Sequence, residues 1–238
     1  MKPKNKKLKQ VLSSVTKLLK IVLQREISIK VDVDLPSERF GSDYGGWNVI
    51  TNNINSSSII YSFGVGEDAS FDIALIKRFG LLIYAFDPTP KSVNYVREQS
   101  FSDNFMMHQY GLADFDGLAV FCPPDNPSHA SYTLLDRSST KDNSISMPVK
   151  KLSTIMNELR HNKIDLLKMD IEGAEYNVIK DLKNTSILPN QILVEFHHRF
   201  PNVGIKKTLE AIECIKTMGY KLFFVSASKE EYSFIKSC

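Results

Sequence analysis

Residues 58–90 carry the pattern that decides the fold: S-I-I-Y-S-F-G-V-G-E-D-A-S-F-D-I-A-L-I-K-R-F-G-L-L-I-Y-A-F-D-P-T-P. An apolar, β-branched strand runs into the turn Gly64-Val65-Gly66, a helix follows, and a second apolar strand stops at Asp87. Glycines in such a turn let a ligand lie against the backbone, and an acid at the next strand tip can hold a ribose. The stretch therefore predicts the first half of a nucleotide-binding α/β unit.

Strands and helices continue to alternate along the rest of the chain. We predict helices near 69–79, 91–99, 153–160, up to 182 and 206–218, and strands near 59–63, 81–86, 105–110, 147–151, 164–169, 192–196, 220–225 and 231–235. This alternation is typical of a mostly parallel sheet with helices on both faces. The last two strands follow each other directly, so we expect an antiparallel strand at one edge of the sheet. The segment G-L-A-D-F-D-G-L-A-V-F-C predicts a short hairpin turning at Asp116-Gly117, and 123–147 is predicted mainly as loop.

Size and composition fit one large α/β domain. The chain has 238 residues, 42% of them hydrophobic, which is ordinary for a globular core. The three cysteines are widely spaced and form no CxxC motif, so we expect reduced thiols and a cytoplasmic location. No apolar run reaches the roughly 20 residues that span a bilayer.

The basic residues are concentrated at the N-terminus. Residues 1–30 hold nine Lys or Arg and one acidic residue, so residues 31–238 carry 21 basic and 26 acidic side chains, a net charge of −5. The apolar residues of 11–23 fall on one face at helical spacing, which predicts a basic amphipathic helix over 1–30. This helix could dock on the domain, form a homodimer, or contact a membrane surface weakly through residues 1–23. The acidic remainder argues against a nucleic-acid partner.

A turn-rich segment connects this helix to the first strand. Residues 31–57 contain many turn-forming residues, together with Tyr44 and the only tryptophan, Trp47. We predict that this segment is a connecting region and a candidate lid over an acceptor site. Tyr44 and Trp47 could then form an apolar platform for a sugar ring.

The residues after the glycine turn narrow the identity of the nucleotide. The letters G-V-G-E-D-A fit the dinucleotide fingerprint, so NAD and an oxidoreductase remain an alternative. Glu67 and Asp68 lie where a pyrophosphate would meet the helix N-terminus, and they would repel it. A cationic ligand without phosphates, such as S-adenosylmethionine, suits this turn better.

A second acidic motif, K-M-D-I-E-G-A-E, follows the predicted strand at 164–169. Asp170 lies at the carboxyl end of that strand, where open α/β sheets bind their ligands. Glu172 and Glu175 could serve the site or could be first-turn acids of the next helix. The motif has no histidine at ligand spacing, so we expect no metal site.

A third motif, L-V-E-F-H-H-R-F, follows the predicted strand at 192–196. Glu195 and His197 alternate with Phe196, so both side chains should point to the same side near the carboxyl edge. Histidine is the natural general base near neutral pH. We therefore take His197 as a candidate base and Glu195 as a candidate substrate contact.

Taken together, these segments resemble the FkbM family of S-adenosylmethionine-dependent methyltransferases. The resemblance covers roughly residues 59–200 and rests on Y-S-F-G-V-G-E-D-A-S-F-D, A-F-D-P-T-P, G-L-A-D-F-D-G, I-D-L-L-K-M-D-I-E-G-A-E and I-L-V-E-F-H-H. It implies a Rossmann-like class I methyltransferase domain over 58–238, whose seven-stranded sheet ends in an antiparallel strand. It also implies O-methylation of a sugar or another small hydroxyl-bearing molecule.

The resemblance also assigns roles to residues by motif position. It implies that Phe63, Gly64 and Gly66 flank the methionine part of the cofactor, that Asp87 and Pro88 lie at its ribose, and that Asp170 and Glu172 face the reacting centre. We predict in-line methyl transfer with His197 as general base and Asp170 positioning the acceptor or the cofactor. A non-enzymatic nucleotide-binding protein with the same fold remains a second alternative.

Overall fold

The computed structural model describes residues 27–124, 132–134, 141–200 and 202–237. The predicted N-terminal helix therefore lies almost wholly outside the described residues, and residues 27–30 at its end are in no helix. Among the helices of these ranges, none is long and apolar enough to cross a membrane.

Twelve strands and five α-helices make up the described part of the chain. The strands are β1 (Glu38–Phe40), β2 (Trp47–Val49), β3 (Ile60–Phe63), β4 (Ile83–Phe86), β5 (Phe105–His108), β6 (Gly111–Leu112), β7 (Gly117–Phe121), β8 (Ile145–Lys150), β9 (Leu166–Met169), β10 (Gln191–Glu195), β11 (Tyr220–Val225) and β12 (Glu231–Lys236). The helices are α1 (Ser70–Phe79), α2 (Pro90–Glu98), α3 (Leu152–Leu159), α4 (Glu175–Thr185) and α5 (Gly204–Thr217).

The central sheet has seven strands in the order β11-β12-β10-β9-β3-β4-β5. Pairing is parallel from β10 through β5, and β12 is antiparallel to both of its neighbours. This confirms the predicted class I methyltransferase sheet with its antiparallel C-terminal strand. The prediction that this strand lies at an edge is wrong: β12 inserts between β10 and β11, which places β11 at the edge.

Apolar side chains project from both faces of the sheet, as expected for a sheet that is covered on both sides. Tyr61 and Phe63 of β3 pack in one buried cluster with α3, α4 and α5. Ile60 of the same strand packs in a second cluster, on the side of α1 and α2. This alternation of neighbouring residues is the period of two of a strand buried on both faces.

A second, three-stranded sheet replaces the hairpin predicted at Asp116-Gly117. β6 and β7 do not pair with each other, because β8 lies between them, parallel to β6 and antiparallel to β7. The hairpin prediction is therefore wrong, and part of the predicted loop 123–147 is strand. The strand that separates β6 from β7 comes from more than twenty residues later, so local turn signals do not reveal it.

The connecting segment 31–57 contains regular structure that its composition conceals. β1 and β2 form a short antiparallel hairpin, and Phe40 and Trp47 from it join the buried cluster on the α1 side. Gln191 of β10 anchors the end of the segment: its side chain accepts from the Ile50 N–H at 2.9 Å and donates to the Ile50 carbonyl at 2.8 Å. The segment is thus packed against the central sheet, with its turn above the sheet's carboxyl edge.

Candidate active site

The carboxyl ends of β3, β4, β9 and β10 open onto a cavity of about 820 Å³. A cavity of this size can hold a nucleoside and a small second molecule. Ten of the eleven residues predicted for the site line it: Tyr44, Trp47, Phe63, Gly64, Gly66, Asp87, Pro88, Asp170, Glu172 and Glu195. His197 lies behind this wall, in contact with the carboxylates that form it.

The backbone at the tip of the neighbouring strand β9 constrains the conformation of the glycine turn, residues 64–68. Gly64 has a φ of +84°, and a Cβ at this position would lie 1.8 Å from the carbonyl oxygen of Asp170. Gly66 has a φ of +56°, and a Cβ there would meet nothing within 4 Å. Gly64 therefore joins two strand ends that no other residue could bring together, while Gly66 faces open space.

Asp87 is held by the backbone that surrounds it at the tip of β4. Its Oδ2 accepts from the Gly66 N–H at 3.0 Å, and its Oδ1 accepts from the backbone N–H and the hydroxyl of Thr89 at 2.8 and 2.6 Å. Burial raises the pKa of this carboxyl, although the hydrogen bonds from Thr89 and Gly66 oppose the rise. The carboxylate is thus fixed in one orientation at the cavity wall.

The two acids that follow Gly66 already have partners. Glu67 pairs with Lys91 at 2.7 Å. Asp68 accepts from the Ser42 hydroxyl at 2.6 Å and from the Ser70 N–H, the first of α1, at 2.8 Å. Burial acts to raise the pKa of Asp68, but these hydrogen bonds lower it overall. The N-terminus of α1 is therefore already met by a carboxylate, where a pyrophosphate would need free N–H groups.

The motif D-I-E-G-A-E turns sharply at the tip of β9. Glu172 has a φ of +51° and Gly173 a φ of +101°. A left-handed glutamate costs of order 1–2 kcal/mol, and here it places the Glu172 side chain at the cavity wall beside Asp170. Glu175, at the start of α4, is fully buried and accepts from the Gly173 N–H at 2.8 Å.

His197 stands at the centre of four carboxylates. Its Nδ1 lies 3.2 Å from Glu175, and its Nε2 lies 3.4 Å from Glu172, 3.8 Å from Asp170 and 4.0 Å from Glu195. Burial alone lowers the pKa of His197, but the neighbouring carboxylates outweigh it and raise the pKa to about 10. We call Asp170, Glu172, Glu195 and His197 the acidic cluster.

Negative charge dominates the cavity as a whole. Ten of its lining residues are acidic, and Lys168 is the one basic residue among the described residues that line it. Burial, followed by the charge of Asp170, raises the pKa of Glu195 to about 8, although His197 opposes the rise. An anionic ligand beside this wall would be repelled, whereas a neutral or cationic one would not.

The two aromatic residues predicted as a sugar platform have very different environments. Tyr44 is 90% exposed at the mouth of the cavity, whereas Trp47 is only 4% exposed and packs in the core beside α1. The Trp47 ring also lies 5.8 Å from the Lys168 ammonium, in a cation–π contact. Tyr44 is thus free to meet a ligand, while Trp47 mainly supports the cavity from behind.

The sequence did not predict the structural roles of two residues of the site, Lys168 and Glu175. Lys168 is buried, and its ammonium donates to the Gly64 carbonyl and lies 3.9 Å from Asp170. Glu175 appeared only as a possible first-turn acid, yet it contacts His197. The role of Lys168 could have been suspected from the sequence, because a lysine inside the otherwise apolar strand L-L-K-M needs a buried partner.

A comparison with protein families decides the family. The sequence profile of the methyltransferase FkbM domain matches residues 58–222, which include the glycine turn and the acidic cluster. The chain belongs to the FkbM methyltransferase family. Residues 27–57, including the β1–β2 hairpin, lie before the matched region.

Relatives of this FkbM-domain protein include curated human and rat proteins. It is 28% identical over 154 residues to probable methyltransferase-like protein 24 of Homo sapiens, covering 63% of this chain and 36% of that protein. For the Rattus norvegicus protein of the same name the identity is 28% over 149 residues, covering 61% and 34%. The chain thus matches about a third of the length of these relatives.

One solved structure with a similar backbone trace is that of the methyltransferase FkbM from Methylobacillus flagellatus KT. The two chains superpose with a TM-score of 0.49 at 12% sequence identity, covering 77% of this chain and 44% of that one.

Proposed function

We propose that this FkbM-domain protein is an O-methyltransferase that transfers a methyl group to a hydroxyl of a sugar or another small molecule. The cofactor is S-adenosylmethionine, the methyl donor that the family implies. The observation that carries the proposal is the meeting, in one cavity, of the oriented Asp87 carboxylate beside the glycine turn and the acidic cluster. The family match favours methyl transfer over the NAD alternative.

The residues of the glycine turn fit this cofactor. Asp87 is fixed at the tip of β4, where its carboxylate can accept from ribose hydroxyls. Asp68 and Asp170 line the same cavity and suit the positive amino group and sulfonium of the cofactor. When bound, the cofactor supplies an activated methyl group on sulfur.

The acceptor lies, in this proposal, against the acidic cluster. Asp170 positions the hydroxyl for in-line attack, and alignment of this kind lowers a barrier by several kcal/mol. His197 was predicted as the base, but it lies behind Glu195 and Asp170, which line the cavity themselves. We therefore assign Glu195 to accept the hydroxyl proton and His197 to hold the carboxylates in place.

The charge of the cavity supports a neutral acceptor. A phosphorylated sugar would bring two further negative charges to a wall of carboxylates, with Lys168 as the one described basic residue beside it. A free sugar, a glycoside or a hydroxylated small molecule meets no such repulsion. Tyr44, exposed at the cavity mouth, offers a ring surface for such an acceptor.

Transfer of radiolabelled methyl groups tests the proposal. The full chain is incubated with S-adenosylmethionine labelled on its methyl group and a panel of sugars, glycosides, phosphorylated sugars and hydroxylated natural products. We expect label on a neutral hydroxyl compound and about 10²–10⁴-fold slower turnover in Glu195→Gln. Glu210→Gln removes an exposed carboxylate of α5 and serves as the matched control with unchanged turnover.

One outcome would contradict the proposed methyl transfer, and another would contradict only the role of Glu195. Cofactor binding without turnover on any acceptor would favour the non-enzymatic alternative. Turnover that is undiminished in Glu195→Gln would remove Glu195 from the proposed role while leaving methyl transfer in place.

A further inference from the structure

Three side chains of the acidic cluster present their ligand atoms to one point. One oxygen each from Asp170 and Glu172 and one ring nitrogen of His197 all lie within 4.8 Å of one another. The His197 Nε2 is 3.4 Å from Glu172 Oε2 and 3.8 Å from Asp170 Oδ1. Two atoms that each bind one ion at about 2.1 Å are separated by about 3.0–3.8 Å at ordinary coordination angles. The cluster therefore has nearly the dimensions of a metal site before any side chain moves.

Glu175 fixes which nitrogen of His197 points into the cluster. Its carboxylate is fully buried and accepts from the backbone N–H groups of Gly173 at 2.8 Å and His197 at 3.0 Å. An acceptor held in this way calls for a proton on the imidazole nitrogen beside it, Nδ1, at 3.2 Å. Nε2 is then the nitrogen that faces Asp170 and Glu172, and it binds an ion by giving up its own proton. A carboxylate behind the distal nitrogen is the usual support of a metal-binding histidine.

The imidazole is also buried where it meets the carboxylates. His197 is only 8% exposed, so its Nε2 is aimed into the cluster rather than at bulk water. Asp170 and Glu172, in contrast, are partly exposed and line the cavity. An ion held among these three side chains would keep its remaining coordination positions open towards the cavity.

Lys168 is the cation that could neutralise Asp170 instead. Its ammonium lies 3.9 Å from Asp170 Oδ2 and donates to the Gly64 carbonyl. It faces the other oxygen of the carboxylate, because the oxygen nearer His197 is Oδ1. Lys168 therefore holds Asp170 in position without occupying the space between Asp170, Glu172 and His197.

We propose that Asp170, Glu172 and His197 bind a divalent transition-metal ion at the floor of the cavity. The prediction of no metal site rested on the absence of a nearby histidine along the chain, and the segment that follows the adjacent strand β10 brings His197 there in space. One imidazole with two carboxylates suits ions from Mn²⁺ to Zn²⁺ better than Mg²⁺, which prefers oxygen ligands and water.

The bound ion would also have a role in methyl transfer, and this role rests on the proposed function. A hydroxyl bound to the ion through an open position becomes a stronger acid. Its proton passes to Glu195, and the resulting alkoxide attacks the methyl carbon while the carbon–sulfur bond breaks. The binding of the ion itself does not depend on this reaction.

Metal binding can be measured directly on the full chain. Protein freed of metal with a chelator is titrated with MnCl₂ at concentrations up to about 1 mM, and free Mn²⁺ is followed by its paramagnetic resonance signal. We expect one ion per chain and at least about tenfold weaker binding in Glu172→Gln and in His197→Gln. Glu67→Gln removes a carboxylate from the same cavity, outside the cluster, and should bind Mn²⁺ as the unmodified chain does.

A second probe tests the role assigned to Glu175. Co²⁺ bound through His197 gives visible absorption bands, and we expect these bands to disappear in His197→Gln. Glu175→Gln should weaken binding by about 10–100-fold while the bands remain, because it positions the imidazole without touching the ion. If the buried Glu175 variant does not fold, the existence of the metal site is judged from Glu172→Gln, because Glu172 is partly exposed.

The outcomes separate the metal site from the proposed function. No saturable Mn²⁺ or Co²⁺ binding, or equal binding in the unmodified chain, Glu172→Gln and His197→Gln, overturns the metal site. Methyl transfer that is unaffected by chelation overturns its role while leaving the proposed function intact. Metal binding without methyl transfer to any acceptor leaves the site standing and counts against the proposed function.

Discussion

The glycine turn and the acidic cluster form adjoining walls of one cavity, and they differ in how their carboxylates are satisfied. At the turn, protein groups satisfy each acid: Gly66 and Thr89 bind Asp87, Lys91 pairs with Glu67, and serines bind Asp68. In the acidic cluster, carboxylates surround a single imidazole at distances of 3.4 to 4.0 Å. At the first wall hydrogen bonds and one ion pair within the fold satisfy the carboxylates, and the second wall retains an excess of negative charge.

The difference indicates what each wall is built to do. A wall whose polar groups are already oriented can bind a ligand without rearrangement, which favours tight and specific binding. A wall with excess negative charge is costly to the folded protein, so it implies a positive partner or a proton to be moved. This difference supports the proposal that the cofactor binds at the glycine turn and that the chemistry takes place at the acidic cluster.

The largest effect is expected where the two walls touch. In Gly64→Ala the new methyl group would lie 1.8 Å from the Asp170 carbonyl oxygen, so the backbone at the tips of β3 and β9 would have to shift. We expect a loss of more than about 3 kcal/mol of stability or no folded protein. Gly66→Ala, whose Cβ meets nothing, should cost only about 1 kcal/mol. Equal urea-denaturation midpoints for the two variants would show that Gly64 does not join the walls.

The two aromatic residues should separate support of the cavity from contact with the acceptor. Trp47→Ala empties a core position and should cost about 3–5 kcal/mol of unfolding free energy. Tyr44→Ala, at an exposed site, should change stability by less than about 0.5 kcal/mol and should raise the acceptor KM. Thermal unfolding and steady-state kinetics on the two variants check both effects. A stable Trp47→Ala protein with only a raised acceptor KM would instead support the sugar platform predicted from the sequence.

Substitutions in the two walls should affect different ligands. In Asp87→Asn an amide replaces a carboxylate that accepts from Gly66 and Thr89, so we expect about 10–100-fold weaker binding of S-adenosylhomocysteine. Glu195→Gln should leave that affinity within about threefold and lower turnover instead. Calorimetry beside a kinetic assay measures the two effects. If both variants lose cofactor affinity equally, the two walls do not have separate tasks.

A smaller effect concerns Asp72, a buried acid of α1 beside the glycine turn. Burial raises the pKa of its carboxyl to about 6, although the charge of Lys168 opposes the rise. The folded chain therefore binds this proton more tightly than the unfolded one, and stability falls as the pH rises from about 4 to about 6. Asp72→Asn should remove this fall in stability and raise the free energy of unfolding by about 1–2 kcal/mol at neutral pH. Urea unfolding at pH 4 and pH 7 measures the difference, and an unchanged pH slope would contradict it.

The sequence predicted the elements whose signals are local. The alternation of strands and helices, the turn at Gly64 and the carboxyl-edge positions of Asp87 and Asp170 depend on neighbouring residues, and the structure has them as predicted. The position of β12 between β10 and β11 and the insertion of β8 between β6 and β7 depend on distant pairing. No local pattern encodes such pairing, so both were predicted wrongly.

The same limit applies to the site. Glu195 and His197 were recognised from their alternation along one strand, but the contact of His197 with Glu175 joins residues 22 positions apart. The expectation of no metal site rested on the distance along the chain from Asp170 and Glu172 to a histidine. Parallel pairing of β9 with β10 brings their tips together and removes the basis of that expectation.

Calorimetric titration of the full chain with S-adenosylhomocysteine and, separately, with NADH tests most directly which cofactor the cavity holds. We predict saturable binding of one S-adenosylhomocysteine per chain and no heat with NADH. Asp87→Asn should weaken the first signal. Saturable heat with NADH and none with S-adenosylhomocysteine would contradict the account.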